Sequence, residues 1–452
     1  MSDIETKFRL KERSIDLNNG YDVIVVGGGP SGCAAAAASA REGAKTLLIE
    51  RAGALGGMGT LGLVPWFVGF DDGDKVIARG LAEKVRCALG EHSPSIDPEL
   101  LKRIYDDLVI GSGAEILFLS QLCTVEMSAE GEIDALLVSN KAGLSAYRAK
   151  VYIDCTADGD LAAKAGASYE KGDADGGLQP ATHCFTLTNV DPYDCWYRPD
   201  RPEGSAPSVH YYDPESPVHK AMKSGRYPLI KSLHSCSTQI GPRTYGFNTG
   251  HVYDVDNTDP ASVSRAFVQG RQMADQYRRA FAEFHPAFTH AFLVATGALL
   301  GTRETRRIHG DYELTLADYL ARRSFPDEIC RNAANIDVHW SKKESAKVRG
   351  LSTEEHQAKE AADVKQLERG ESYGVPYRCL TPKGLRNVLV AGRCISTDRP
   401  VNGSVRIMAC CLTTGQAAGT AATLAVKGDG NVHHVNPDAL RNILRANGAY
   451  LP

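Results

Sequence analysis

The chain has 452 residues, 43% of them hydrophobic and 23% charged, with a formal net charge of −4. That length calls for two domains or one large domain with an insertion, and the composition is that of an ordinary globular protein. The acidic balance excludes an electrostatic drive toward nucleic acid or anionic membrane, and no apolar run is long enough to cross a bilayer. No nucleic-acid or membrane partner is expected, and the first twenty residues lack an apolar signal core, so a cytoplasmic location is the default.

In chain order, residues 23–26 (Val-Ile-Val-Val) read as a short strand buried on both faces. Gly27, Gly29 and Gly32 follow in G-x-G-x-x-G spacing. The first permits a tight turn, the second lets backbone approach a pyrophosphate, and the third lets helix pack on strand. Residues 31–41 are nearly all alanine and predict a helix whose first amides, around Pro30 and Ser31, face the phosphates. Residues 45–49 predict a second strand. Glu50 at its end suits the hydroxyls of an adenosine ribose and opposes a 2′-phosphate. The segment predicts a dinucleotide site without separating FAD from NAD.

Residues 51–60 form a glycine-dense loop able to lie against something flat or anionic. Residues 98–109 predict an amphipathic helix. Four runs, 115–120, 123–128, 133–140 and 144–149, predict a β-meander turned at Gly131 and Gly143. Residues 151–154 predict another buried strand, running into Cys155-Thr-Ala-Asp-Gly-Asp160 and a short helix over 161–165. From 173 to 259 periodicity is poor, and aromatic residues such as Trp196, Tyr197, Tyr211, Tyr212 and Tyr245 recur. This reads as an insertion whose loops carry substrate contacts. A long helix follows over 261–284. Residues 387–391 predict a further strand ending in Gly392-Arg393, and 407–426 a helix of small residues that packs closely. The 12 cysteines include no C-x-x-C, which counts against zinc ribbons, dithiol redox pairs and iron–sulfur motifs, so no metal is expected.

The two halves of the nucleotide core, 21–60 and 387–426, stand at opposite ends of the chain. A small dehydrogenase would finish its nucleotide domain contiguously, whereas a glutathione-reductase-type flavoprotein uses a late strand–glycine–helix unit, which favours FAD. The motifs Gly56-Gly-Met-Gly-Thr60, Asp154-Cys-Thr-Ala-Asp-Gly-Asp160, Gly301-Thr-Arg-Glu-Thr-Arg-Arg307, Tyr373-Gly-Val-Pro-Tyr-Arg378 and Val390-Ala-Gly-Arg393 recur in order, followed by Ser404-Val-Arg406 and Gly415-Gln-Ala-Ala-Gly419. With them the chain resembles the FAD-dependent oxidoreductase family of the glutathione-reductase and fumarate-reductase-like flavoproteins.

The resemblance implies an α/β fold: a Rossmann-like FAD-binding domain, parallel sheet plus β-meander, with an inserted α+β substrate or cap domain. The expected boundaries are 20–172 and 291–430 for the two FAD-binding parts, 173–290 for the insertion and 431–452 for a tail helix. It further implies that Gly27, Gly29, Pro30, Ser31 and Gly32 hold the FAD pyrophosphate, with Glu50 on the ribose and Arg51 by the adenine. Gly56, Gly57, Met58, Gly59 and Thr60 would line the phosphates and the ring edge. Ala157 and Asp158 would belong to the cofactor site, Gly392 and Arg393 would stand near the ribityl chain, and residues 404–408, with Ser404, Val405 and Arg406, would place backbone amides by the flavin N1 and C2 carbonyl. Many disulfide reductases have Gly-Asp where this chain has Gly392-Arg393, which leaves the ribityl contact open.

No second G-x-G-x-x-G is complete, so electrons are expected to pass directly between flavin and a small-molecule substrate, with an external acceptor resetting the flavin. Of the insertion's His183, His210, His219, His234 and His251, the candidates for moving the accompanying proton are His183 and His234. Arg303, with Arg306 and Arg307, suits a substrate carboxylate, against the alternative that Glu304 and nearby acids pair with them structurally. Arg243 with Asn248 is a comparable candidate. The expected activity is hydride exchange between a small polar molecule and flavin N5. An electron-transfer subunit of a larger complex and a thiazole-synthase-like, nucleotide-using enzyme are the alternatives, and a homo-oligomeric state is left open.

Overall fold

In the computed structural model, residues 12, 14–90, 95–128, 131–191, 208–210, 213–347 and 366–452 are described. Trp196, Tyr197, Tyr211 and Tyr212 lie outside them. The central element is a five-stranded parallel sheet in the order Val388–Val390, Val151–Asp154, Val23–Val26, Thr46–Ile49, Glu115–Leu117. Val23–Val26 and Thr46–Ile49 inside it and Val388–Val390 at its edge are built almost wholly of Val, Ile and Leu, with every residue buried, as a sheet covered on both faces requires. Val26 pairs with both Ile49 and Asp154, and Asp154 with Val390, so the carboxyl ends align. That register gathers Gly27, Glu50, Cys155 and Ala391 at one edge, where open α/β sheets bind ligands.

Two helices lie together against this sheet. Pro30–Arg41 starts on a proline, whose fixed φ suits the first helical position, and continues in alanine. Met408–Lys427 lies beside it through glycines that admit no side chain: a Cβ on Gly415 would come 2.1 Å from Ser31 O, and one on Gly419 2.1 Å from Ala35 O. The buried Asp154 then pins the loop after its strand. Its carboxylate accepts from Thr156 Oγ1 at 2.7 Å and from Ala162 N at 2.9 Å, and burial pushes its pKa up to about 6.

The structure corrects the meander. The run predicted over 115–120 is a parallel edge strand of the main sheet, Glu115–Leu117 beside Thr46–Ile49. The antiparallel sheet contains Gln121–Met127, Ile133–Asn140 and Gly143–Tyr147, with Leu17–Asn18 added in parallel at its edge. Only three residues pair in Glu115–Leu117, too few for their alternation to reveal which neighbour they join.

A second hydrophobic core holds residues between Ala181 and Leu300. The stretch with poor periodicity contains Ser235–Gly241 and Thr244–Thr249, which pair with Phe185–Thr188 and Phe292–Thr296 in an antiparallel sheet. The 25-residue helix Pro260–Phe284 lies against it, and Phe185, Phe247, Tyr277 and Phe281 meet between them. The C-terminal segment carries a helix, Pro437–Ala446. Among the described residues no helix is long and apolar enough to cross a membrane.

Candidate active site

A cleft of about 2000 Å³ opens at the carboxyl edge of the parallel sheet, with walls from both cores. Drug-sized ligands occupy about 300–1,000 Å³, so a dinucleotide and a second molecule can share it.

On the sheet side the three glycines of the first loop have separate structural duties. Gly27 holds φ +99°, and its Cβ would come 2.4 Å from Cys155 O. A Cβ on Gly32 would stand 1.7 Å from Gly27 O. Gly29 has nothing within 4 Å of that position and faces the open cleft. The helix starts at Gly29 and Ile407 both lack a side-chain cap, and both line the cleft. The first four amides of a helix have no intrahelical acceptor, so these two starts present donors and positive dipole ends to a phosphate and a flavin carbonyl. The residues present therefore fit FAD.

Glu50 is already engaged by backbone: Oε2 accepts from Gly28 N at 2.6 Å and Oε1 from Ala52 N at 2.7 Å. Each oxygen keeps a second lone pair, and the residue lines the cleft beside Arg51. Pro30, Ser31, Gly57, Met58, Ala157, Asp158, Arg393 and Arg406 also line it. Gly32, Gly56, Gly59, Thr60, Gly392, Ser404 and Val405 do not, and they hold the walls from behind. Thr60 Oγ1 donates to Leu55 O at 2.6 Å, and Ser404 Oγ to Ala334 O at 2.5 Å. Arg393 stands where a reductase-type Asp was the comparison. It pairs with Asp158 and donates to Thr302 Oγ1 at 2.9 Å and to Ala157 O at 3.1 Å, fastening the sheet edge to the segment that follows the insertion.

Where the second core walls the cleft, three imidazoles meet. His234 and His251 stack with ring centroids 4.8 Å apart and planes 11° apart, and His339 stands edge-on to both. His251 Nε2 lies 3.0 Å from His339 Nδ1, His339 Nε2 lies 3.1 Å from Asp337 Oδ1, and His251 Nδ1 lies 3.0 Å from Ser232 Oγ. All three rings are held neutral. Burial, with Arg303 adding to it, pushes His339 down to about 4, and burial with the neighbouring rings and Arg303 holds His234 and His251 well below the usual imidazole range. Burial works to raise the Asp337 carboxyl, but the hydrogen bond from His339 and the charges of Arg406 and Arg303 overcome this and hold it well below the carboxylate range. A carboxylate only accepts, so the neutral His339 carries its proton on Nε2 and accepts from His251 Nε2–H at Nδ1. His251 Nδ1 is then an acceptor, facing Ser232 Oγ at 3.0 Å and Tyr253 Oη at 3.4 Å. The three rings also offer nitrogens within 4.8 Å of one another, a candidate metal-ligand set that the sequence did not disclose. The local charges, Arg303 and Arg406 against Asp337, oppose a divalent cation there.

The candidate catalytic residues separate cleanly. His234 and Arg303 line the cleft. His183 does not: its Nε2 bonds Gly297 O at 2.7 Å, and Gly270 of the long helix makes room for its ring, which packs on Phe267. Arg243 lies at the exposed hairpin turn with φ +52°, paired with Asp191 and donating to Val190 O at 3.2 Å. Neither residue lines the cleft. Arg306 pairs with Asp160 at 2.8 Å and Arg307 with Glu170 at 3.2 Å, while Glu304 takes Arg399 at 3.2 Å. His251 was one of the five insertion histidines, but His339 and Asp337 lie outside the insertion and no local pattern marks them. Their only trace is Asp-Val-His at 337–339, and 88 residues separate His251 from His339.

A parallel sheet whose glycine turn opens at its carboxyl edge, with a second core walling the same cleft, is the architecture of a dinucleotide-binding enzyme. The model of the FAD dependent oxidoreductase family matches residues 22–444, and the chain belongs to that family. It is an FAD-dependent oxidoreductase, and FAD is its cofactor. The chain is 58% identical over 41 residues to a digeranylgeranylglycerophospholipid reductase of Methanocaldococcus jannaschii, and 53% identical over 45 residues to a dihydrolipoyl dehydrogenase of Trypanosoma brucei brucei. These matches span 9–10% of this chain and of each relative. Among solved structures, a geranylgeranyl bacteriochlorophyll reductase-like protein of Thermoplasma acidophilum is similar at 14% identity and a TM-score of 0.47, covering 96% of this chain and 93% of its own. The OxyS anhydrotetracycline hydroxylase of Streptomyces rimosus is similar at 14% identity and a TM-score of 0.42, covering 94% of this chain and 65% of its own.

Proposed function

We propose that the enzyme exchanges a hydride between a small polar organic substrate and flavin N5, in the part of the cleft walled by the imidazoles. One observation supports this above the others: a hydrogen-bonded series, Ser232, His251, His339 and Asp337, borders the same cleft as the cofactor-lining residues. FAD supplies the two-electron acceptor or donor. The protein's own part is the proton. In the oxidative direction Ser232 takes the substrate hydroxyl proton as its own hydroxyl proton moves to His251 Nδ1. His339 and Asp337 behind it orient the ring and stabilise the imidazolium that forms. An oxidant outside the chain (oxygen, a quinone or a carrier protein) resets the flavin.

Anaerobic mixing with a panel of hydroxy acids, sugars and cyclic alcohols tests this reading. At least one compound bleaches the flavin. With that compound, His251→Asn slows bleaching by about 10²–10⁴-fold, the usual share of a general base, at unchanged FAD content. A panel in which nothing bleaches the flavin turns the account toward an electron-transfer subunit.

A further inference from the structure

Resting on that reading, we propose that the substrate is a carboxylate anion and that Arg303 binds it. Of the three arginines in residues 303–307, two are spent in ion pairs with Asp160 and Glu170. Arg303 is only 5% exposed, lines the cleft, and among the described residues forms no ion pair with a carboxylate. Its neighbours are the Pro180 carbonyl, 2.7 Å from Nη1, and His234 Nε2, 3.4 Å from Nη2. A guanidinium has five N–H donors, so three remain for a ligand. A buried cation whose hydrogen-bond acceptors are neutral is costly, and an anionic partner offsets that cost.

The charge count chooses the kind of anion. The Arg406 charge is paired with Asp337, with Nη2 at 2.8 Å from its Oδ2. One positive charge is left over, Arg303. A monoanion with two oxygens in a plane matches the fork of a guanidinium, whereas a phosphate dianion would overshoot the charge. The desolvated guanidinium sits with its pKa lowered to about 10 by burial and by the Arg406 charge, and a bound carboxylate relieves both. The neighbouring Asn248 amide, also in the cleft wall, adds a donor for a further oxygen.

The test uses the FAD-loaded protein in its oxidised state, without turnover. Benzoate, glycolate and lactate are titrated against their carboxamides and against inorganic phosphate, followed by flavin difference absorbance and by calorimetry. At least one carboxylate binds about tenfold or more tighter than its carboxamide and than phosphate, the scale of a charge-assisted pair. Arg303→Lys weakens that binding, and Arg303→Met removes it, while FAD content and the binding of neutral alcohols stay as in the wild type. Equal affinity for acid and amide, preference for phosphate, or retained carboxylate binding in Arg303→Met overturns the proposal. If a carboxylate binds through Arg303 but nothing in the panel reduces the flavin, the anion site stands and the hydride reading falls. If a compound of the panel bleaches the flavin but no carboxylate binds more tightly than its carboxamide, the hydride reading stands and the anion site falls.

Discussion

At the scale of single residues, the histidines of the cleft link stability to pH. His339 has a folded pKa of about 4 against an ordinary 6.5. As pH falls, the unfolded chain therefore binds this proton first. The stability contributed by the neutral ring is complete above about pH 6.5 and is lost progressively toward pH 4. His234 and His251 shift in the same direction. The melting temperature is expected to drop between pH 7 and pH 5, and His339→Gln flattens that slope without abolishing it. A melting temperature that stays level over this window, or a variant with the wild-type slope, would show that the rings are not held neutral. His183 and Arg243 lie outside the cleft wall, His183 with Nε2 on Gly297 O and Arg243 held by Val190 O and Asp191.

At the scale of elements, the two helices of the nucleotide core separate stability from cofactor binding. Gly29→Ala places a methyl group in open space, so the cofactor-free protein should melt within about 0.5 kcal/mol of wild type while losing FAD affinity, because the pyrophosphate approaches there. Gly419→Ala forces a Cβ to 2.1 Å from Ala35 O and should cost about 1–3 kcal/mol even without FAD. Denaturant melts and FAD titrations of both proteins check the pair. A Gly29 variant that loses stability but keeps affinity reverses the assignment. These glycines were legible in the sequence because their spacing carries a backbone constraint, and the strand Val23–Val26 was legible because four buried apolar residues between turn signals leave few alternatives. The insertion's sheet was not. Ser235–Gly241 and Thr244–Thr249 are rich in Ser, Thr and Gly, and they earn their strand geometry from Phe185–Thr188 and the long helix rather than from their own pattern. The same physics hid His339 and Asp337: their meeting with His251 is a product of packing across 88 residues.

At the scale of the whole molecule, two cores share one cleft, and each supplies what the other lacks. The parallel sheet and the paired helix starts provide amides for a dinucleotide. The second core and the segment around 333–340 provide the imidazoles, Arg303 and Asp337. Arg393, tied to Asp158 and Thr302, joins the two parts at the base of the cleft. The account stands or falls on the orientation of FAD between them. A crystal structure of the FAD-loaded enzyme is expected to show the adenosine at Glu50 and Arg51, the pyrophosphate at Gly29, and the flavin ring between Met58 and Met408 with one face open to His251 and Arg303. A ring directed away from the imidazoles, or a pyrophosphate that leaves the Gly29 helix start untouched, would contradict it.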